Sequence, residues 1–211
     1  MSGDATDGRY ASVTPAGCYY ATESVVPTPE RERLLGLMRG AETPALEALG
    51  GADGDSIGAL VEAGFVTLRP APERLPPKSL VELLPSLLPA LSELGRVVLS
   101  ESRQGLFLDY VGVGAEEAEE LAALGSRLRK TADRVTGLLA GRLELDSRAF
   151  AVVDPAGSSE VGFWPLHIGP NVFTLTVLGI PRFNSPQFRL LVWVLIERYG
   201  ENRPDPVPSP A

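Results

Sequence analysis

The stretch RVVLSESRQGLFLDYVG, residues 96–112, decides the fold of this chain. Two runs rich in β-forming residues, Arg96–Ser100 and Leu106–Val111, flank the short polar segment 102–105. That segment ends in Gly105, and glycine adopts the positive φ that tight turns require. We therefore predict an antiparallel β-hairpin.

The elements on either side of this hairpin define the class of the domain. An apolar helix is predicted over residues 78–94, where Pro85 and Pro89 should bend or split it, and a long helix should follow the hairpin from Ala115 to about Leu143. Three more β-rich runs near residues 148–153, 160–167 and 172–178 precede an amphipathic helix over 185–199. This order predicts an α+β fold in which a five-stranded antiparallel sheet carries flanking helices.

Residues 83–199 resemble the roadblock/dynein light chain family. Residues 96–112 stand where that family has its first hairpin, and EEAEELAAL, residues 116–124, resembles the start of its long central helix. Two features depart from the family pattern: the prolines of the first helix and the bulky GFWPLH, residues 162–167, in the fourth strand. The resemblance implies a roadblock/profilin-like sheet, a homodimer in which the long helix packs beside its copy, and non-enzymatic regulation or scaffolding of a small Ras-like GTPase.

Proline and glycine clusters divide the chain into five parts. We expect an irregular lead over residues 1–27, in which Cys18–Tyr20 could pair as an edge strand, and a small helical unit over 28–69. A Pro-rich linker over 70–77, the roadblock-like domain over 78–200 and a Pro-rich tail over 201–211 should follow. In the helical unit, Thr28 and Pro29 predict a helix start, and LVEAGFV, residues 60–66, resembles the end of the recognition helix and the first wing strand of winged-helix domains.

The charge of the helical unit bears on what it binds. The chain has a formal net charge of -8, and residues 1–77 contain 6 basic and 11 acidic residues. Residues 40–68 contain no Lys or Arg. Because cations that contact phosphate dominate DNA affinity, we expect no nucleic-acid partner. A transcription regulator with a winged-helix unit and a roadblock-like sensor domain is the alternative function.

The long helix is the candidate interaction element. Apolar or small residues recur at alternating spacings of three and four, which is a heptad pattern, and the small ones permit close backbone approach. This periodicity alone leaves open whether the seam contacts a copy or its own sheet; the resemblance favours a dimer. The seam residues are Ala118, Leu121, Gly125, Leu128, Ala132, Val135 and Leu139, and a basic cluster of Arg127, Arg129, Lys130 and Arg134 lies on or beside them.

Residues that could carry catalysis are few. The chain has one histidine, His167, and one cysteine, Cys18, which assemble neither a catalytic triad nor a two-ligand metal site. Asp109, Asp146 and Asp154 fall at strand ends or turns, where Asp is expected for local hydrogen bonding. We expect no enzyme activity, catalytic residue, cofactor or metal.

The leading hypothesis is therefore a homodimeric interaction protein that binds a small Ras-like GTPase. If an arginine were inserted into the GTPase site, Arg103, Arg127 and Arg134 would be the candidates. A third hypothesis is an enzyme or small-molecule sensor of related α+β architecture. The unpaired cysteine and the missing apolar leader favour the cytoplasm, and the absence of a long apolar run predicts no membrane partner.

Overall fold

A computed structural model describes residues 9–24, 26, 28–49, 51–139, 141–142 and 149–200. Within them the strands are β1 (Tyr10–Val13), β2 (Val66–Arg69), β3 (Arg96–Glu101), β4 (Leu106–Val111), β5 (Phe150–Val153), β6 (Ser159–Ile168) and β7 (Asn171–Leu178). The α-helices are α1 (Pro15–Thr22), α2 (Pro29–Leu37), α3 (Gly51–Glu62), α4 (Leu80–Leu87), α5 (Ala115–Arg134), α6 (Thr136–Leu139) and α7 (Pro186–Tyr199). Two short 3₁₀ helices span Leu46–Leu49 and Leu88–Leu91.

Five strands form one antiparallel sheet in the order β4-β3-β7-β6-β5. The predicted α+β class and five-stranded antiparallel sheet with flanking helices are confirmed. The hairpin of β3 and β4 closes at Gly105, whose φ of +72° is the conformation that glycine adopts at little cost. Strands β4 and β5 are the two edges of the sheet.

The two faces of the sheet differ in chemistry. Alternate residues of β3 point to opposite sides, so Val97 and Leu99 belong to the apolar core while Ser100 lies on the other face. The apolar face packs under α4 and α7, and α5 covers the face that carries Ser100. Helix α7 is buried on almost every side between residues 191 and 196, because it lies between the sheet and the N-terminal helices.

Helix α5 is shorter than predicted. It ends at Arg134 rather than near Leu143, and the amide of Val135 is shared between the carbonyl groups of Thr131 and Ala132. The sequence Val-Thr-Gly over 135–137 explains the break, because β-branched residues and glycine are weak helix formers. None of the helices in the described ranges is both long and apolar enough to cross a bilayer.

We predicted an irregular lead over residues 1–27, but part of it is regular. Residues Cys18–Tyr20, which could have formed an edge strand, lie in a helix instead. Residues 10–13 form β1 and residues 15–22 form α1. Thr14 caps α1 by accepting a hydrogen bond from the Gly17 amide, and Pro15 occupies the first turn, which is the same signal that begins α2 at Thr28 and Pro29. Residues 1–8 lie outside the described part.

One apolar core joins the segments on both sides of the predicted linker. It contains Leu34 and Ile57 from the N-terminal helices together with Leu99 and Leu175 from the sheet. Residues 70–77 contain no helix or strand, but Glu73 pairs with Arg189 of α7 at 3.0 Å. The linker is therefore anchored to the sheet domain.

The predicted winged-helix arrangement is not confirmed. Strand β2 pairs antiparallel with β1, which precedes all three N-terminal α-helices. Between β2 and α4 the described chain forms no further strand that could complete a wing. The N-terminal segment is a two-stranded ribbon with helices, and it packs on the face of the sheet that carries α4 and α7.

Candidate functional site: the outer surface of α5 and the β5 edge

The inner side of α5 packs directly on its own sheet. Its buried residues are Ala118, Ala122, Gly125, Ser126 and Ala132. Opposite them lie small polar residues of β3 and β7, such as Ser100 and Thr174, which are paired in register and buried. A Cβ atom on Gly125 would lie 3.2 Å from Thr174 Cγ2 and 3.3 Å from Phe163 Cδ1. Small residues on both surfaces therefore allow the helix to approach the strands closely.

This packing corrects part of the predicted interface. Ala118, Gly125 and Ala132 face the sheet and are covered by their own chain, so they cannot contact a second copy. The heptad pattern in these small residues serves helix-to-sheet packing. Of the other predicted interface residues, Leu121 and Leu128 are half-buried and Val135 is 39% exposed.

An apolar flank of α5 remains open. Its apolar residues recur at spacings of three, four and seven, which places them along one side of the helix; they are Leu121, Leu124, Leu128 and Val135. Leu124 is 43% exposed. Leu128 closes a narrow groove with Phe150 of β5 and with Phe163 and Pro165 of β6. The flank thus lies next to the β5 side of the sheet.

Strand β5 is an exposed edge of the sheet. Its sequence is FAVV, β6 is the one strand that pairs with it in the described part of the chain, and Val152 and Val153 are 54% and 55% exposed. Edge strands usually carry charge, proline or a cover that blocks pairing with another chain. Residues 150–153 contain neither charge nor proline. A further strand can therefore add here through main-chain hydrogen bonds.

Charged residues border the apolar flank and are segregated along α5. The first turns carry exposed Glu116 and Glu120, and the last turns carry exposed Arg127 and Arg134. Helical spacing places these four side chains on the solvent side of the flank. This order also favours the helix itself, because acids stabilise its N-terminal end and cations its C-terminal end.

The remaining arginines of the predicted set have partners within the chain. Arg129 is a half-buried member of the basic cluster and pairs with Asp133 one turn later at 3.0 Å. Arg103, in the β3–β4 turn, donates from Nη2 to the carbonyl oxygen of Pro170 at 3.3 Å. Arg127 and Arg134 are more exposed than Arg129 and lie near the flank, so they are the better placed to meet a partner.

The candidate catalytic residues that the structure describes lie on separate elements. Cys18 is buried in α1, where burial raises the pKa of its thiol to about 12, and its Sγ lies 3.5 Å from Met38 Sδ. His167 is on β6 opposite Val172. In the described ranges, no three His, Cys, Asp or Glu side chains gather closely enough to hold a metal ion.

The aspartates satisfy local backbone groups where the structure describes them. Asp154 Oδ1 accepts hydrogen bonds from the amides of Ala156 and Ser158, which stabilises the β5–β6 turn. Asp109 Oδ1 accepts from the Tyr110 amide. Asp146 lies outside the described residues.

Comparisons with models of protein families, with curated proteins and with solved structures find no significant match for this chain.

Sequence reasoning missed the most exposed part of this surface. The uncharged run 150–153 is typical of a buried strand, and only its place at the end of the sheet order exposes it. The length of the strand, four residues, could have indicated an edge position, since short strands are common at sheet edges.

Proposed function

We propose that this chain is a non-enzymatic interaction protein of the roadblock type, which forms a homodimer and regulates or scaffolds a small Ras-like GTPase in the cytoplasm. The observation that carries the proposal is the uncharged, exposed β5 edge beside the apolar flank of α5. Further support comes from the sheet order β4-β3-β7-β6-β5, with α5 on one face and α4 and α7 on the other.

A two-fold dimer would satisfy both features at once. In such a dimer each copy contributes the same surface, so β5 pairs with the partner's β5 and the flank of α5 faces its equivalent. Antiparallel packing of the two helices places the acidic first turns of one α5 beside the basic last turns of the other. The charge order of Glu116, Glu120, Arg127 and Arg134 is self-complementary in that arrangement.

The dimer can be tested at its two apolar elements. Val152→Lys on β5 and Leu124→Glu on α5 each place a charge on a surface that would be buried, so we expect monomers in light scattering at protein concentrations where the unaltered chain is dimeric. Leu106→Lys is the matched control, because Leu106 is 61% exposed on the opposite edge strand β4. A dimer that persists in both test variants would show that another surface forms the interface. Circular dichroism checks that each variant is folded.

We propose that this chain influences GTP hydrolysis by its partner through the shape of its contact surface rather than through an arginine inserted into the GTPase site. Arg103 and Arg129 are held by partners within the chain, and Arg127 and Arg134 lie on a broad helical surface rather than on a projecting loop.

We therefore expect a small GTPase to be retained from native cytosol, and its single-turnover GTP hydrolysis to change by less than about tenfold with Arg103→Ala, Arg127→Ala, Arg129→Ala or Arg134→Ala. Loss of an inserted arginine would instead cost about 10³-fold or more. A loss of that size with binding intact would contradict the shape account. Retention of duplex DNA without a GTPase would favour the transcription-regulator alternative.

A further inference from the structure

The bulky stretch 162–167, which departs from the roadblock family pattern, builds a pocket on the sheet face opposite α5. Alternate residues of β6 point to opposite sides, so Phe163 and Pro165 lie against α5 while Trp164 projects to the other face. There it borders a pocket of about 400 Å³. The described lining residues come from α1, β6 and the segment before α7; they are Pro15, Ala16, Tyr19, Trp164, Phe183 and Asn184.

The aromatic rings of this pocket are held in place by their neighbours. Phe188, which is fully buried, stacks on Phe183 with ring centroids 4.8 Å apart, and Phe183 stacks in turn on Tyr19 at 6.2 Å. Trp164 lies over Gly162, where a Cβ atom would come within 2.1 Å of the indole. Residue 162 therefore has to lack a side chain for the indole to lie here, and packing fixes the rings before any ligand binds.

The relative orientation of two rings selects for a flat ligand. The planes of Trp164 and Phe183 meet at 89° with centroids 5.1 Å apart, so they form a corner with two aromatic walls. A planar aromatic ring in this corner can stack on one wall and meet the other edge-to-face, and aromatic pairs prefer these two arrangements. A saturated ring or an acyl chain would gain only the burial of apolar surface.

The polarity and size of the pocket narrow the ligand further. None of the six described lining residues carries a charge, so a charged ligand group would be buried without a counter-charge among them. Asn184 contributes a side-chain amide, which can donate and accept hydrogen bonds and so orient a ligand. A volume of about 400 Å³ lies in the lower part of the range of small-molecule pockets.

We propose that this pocket binds an uncharged, planar aromatic small molecule of about two fused rings, with an amide-like group that pairs with Asn184. Such a ligand contacts α1 and the segment before α7 at the same time, so it joins the N-terminal segment to the sheet domain. None of the described lining residues belongs to α5 or β5, and the proposal does not depend on the dimer or on the GTPase.

The test titrates the full, isotope-labelled chain with 1-naphthamide and follows the indole N–H signals of its two tryptophans by NMR. Trp164 borders the pocket, whereas Trp193 is 2% exposed and donates from Nε1 to the Gly40 carbonyl at 2.9 Å. We expect a saturable shift of the Trp164 signal with a Kd of about 100 μM, and a much smaller shift of the Trp193 signal. Trp164→Phe assigns the two signals.

Two variants and one matched control locate the binding. Phe183→Leu removes one wall of the corner and should raise the Kd about fivefold or more. Gly162→Ala should also weaken binding, because the new Cβ atom displaces the Trp164 ring. Phe107→Leu is the control: Phe107 makes an edge-to-face pair with Tyr110 at 5.0 Å on β4, outside the pocket, and its loss should leave the Kd unchanged. Circular dichroism checks that each variant is folded.

Ligand analogues tested on the unaltered chain decide the chemical class. Decahydronaphthalene-1-carboxamide has the same carbon skeleton and amide without the flat rings, and we expect it to bind about tenfold more weakly. Equal affinity for the two amides would overturn the proposal, because the pocket would then select for apolar volume alone. Tighter binding of 1-naphthoate or of 1-naphthyltrimethylammonium would overturn it in favour of a charged ligand. The absence of a Trp164 shift at about 1 mM naphthamide, ten times the expected Kd, would overturn it outright.

Discussion

Gly125→Glu is expected to destabilise the fold by about 4 kcal/mol, because it combines overpacking with burial of an unpaired charge. Even a Cβ atom at this position meets Thr174 and Phe163 at 3.2 and 3.3 Å, and the carboxylate would be forced between α5 and the sheet. Glutamate is a better helix former than glycine, but that gain is under about 1 kcal/mol and does not offset the burial. Urea denaturation measures the difference in free energy of unfolding.

The matched control is Thr131→Glu, which adds the same side chain at an exposed position of α5. Its expected effect is within about 0.5 kcal/mol. If Gly125→Glu left the unfolding midpoint unchanged, α5 would have to present Gly125 to solvent, contrary to the packing described above. Leu124→Glu, one residue earlier, is expected to disrupt the dimer without unfolding the chain, so adjacent positions separate the two roles of the helix.

Arg31→Met is expected to cost about 3 kcal/mol, because it removes one partner of a largely buried ion pair. The guanidinium donates from Nε to the Tyr20 carbonyl at 3.1 Å and from Nη1 to the Val26 carbonyl at 3.2 Å. It also pairs with Glu23 at 3.2 Å and lies 4.7 Å from the centre of the Tyr20 ring. With a side chain only 7% exposed, Arg31 joins α2 to the end of α1.

The same substitution at the exposed Arg39 is the control and should change the unfolding free energy by less than about 0.5 kcal/mol. Arg31→Lys should recover only part of the loss, since an ammonium group cannot reproduce the planar set of donors. Thermal or urea unfolding of Arg31→Met, Arg31→Lys and Arg39→Met measures how their stabilities rank. Equal stability of Arg31→Met and Arg39→Met would show that α1 is held by its apolar contacts alone.

Local sequence signals predicted most elements of the sheet domain. The turn at Gly105 predicted the hairpin, and alternating β-rich runs located β5, β6 and β7 to within a few residues. The amphipathic helix predicted over residues 185–199 matches α7, and Thr28 followed by Pro29 predicted the start of α2. The same capping signal at Thr14 and Pro15 was overlooked, because the glycine- and serine-rich residues around it are typical of an irregular segment.

The orientation of α5 could not be predicted in the same way. A repeat of Ala118, Gly125 and Ala132 shows that one side of a helix accepts a close neighbour, but a sheet of the same chain and a helix of another both meet that requirement. The answer depends on what lies opposite, and the buried Ser100 and Thr174 opposite α5 come from strands far away in sequence. The small residues of the predicted interface are therefore covered by their own chain, while the exposed residues of the same helix remain a predicted contact surface.

The sequence by itself determined the class of the fold, the order of the elements in the sheet domain and most of their ends, because turns, caps and side-chain periodicity act over a few neighbouring residues. Only the tertiary structure decided which surfaces are covered. Strand β5 is exposed because, among the described residues, β6 is its one partner strand, and the rings of Tyr19, Trp164 and Phe183 meet because α1 packs against α7 and β6. Burial is a property of residues distant in the chain, since apolar surface is stabilised by any partner that excludes water, whatever its place in the sequence.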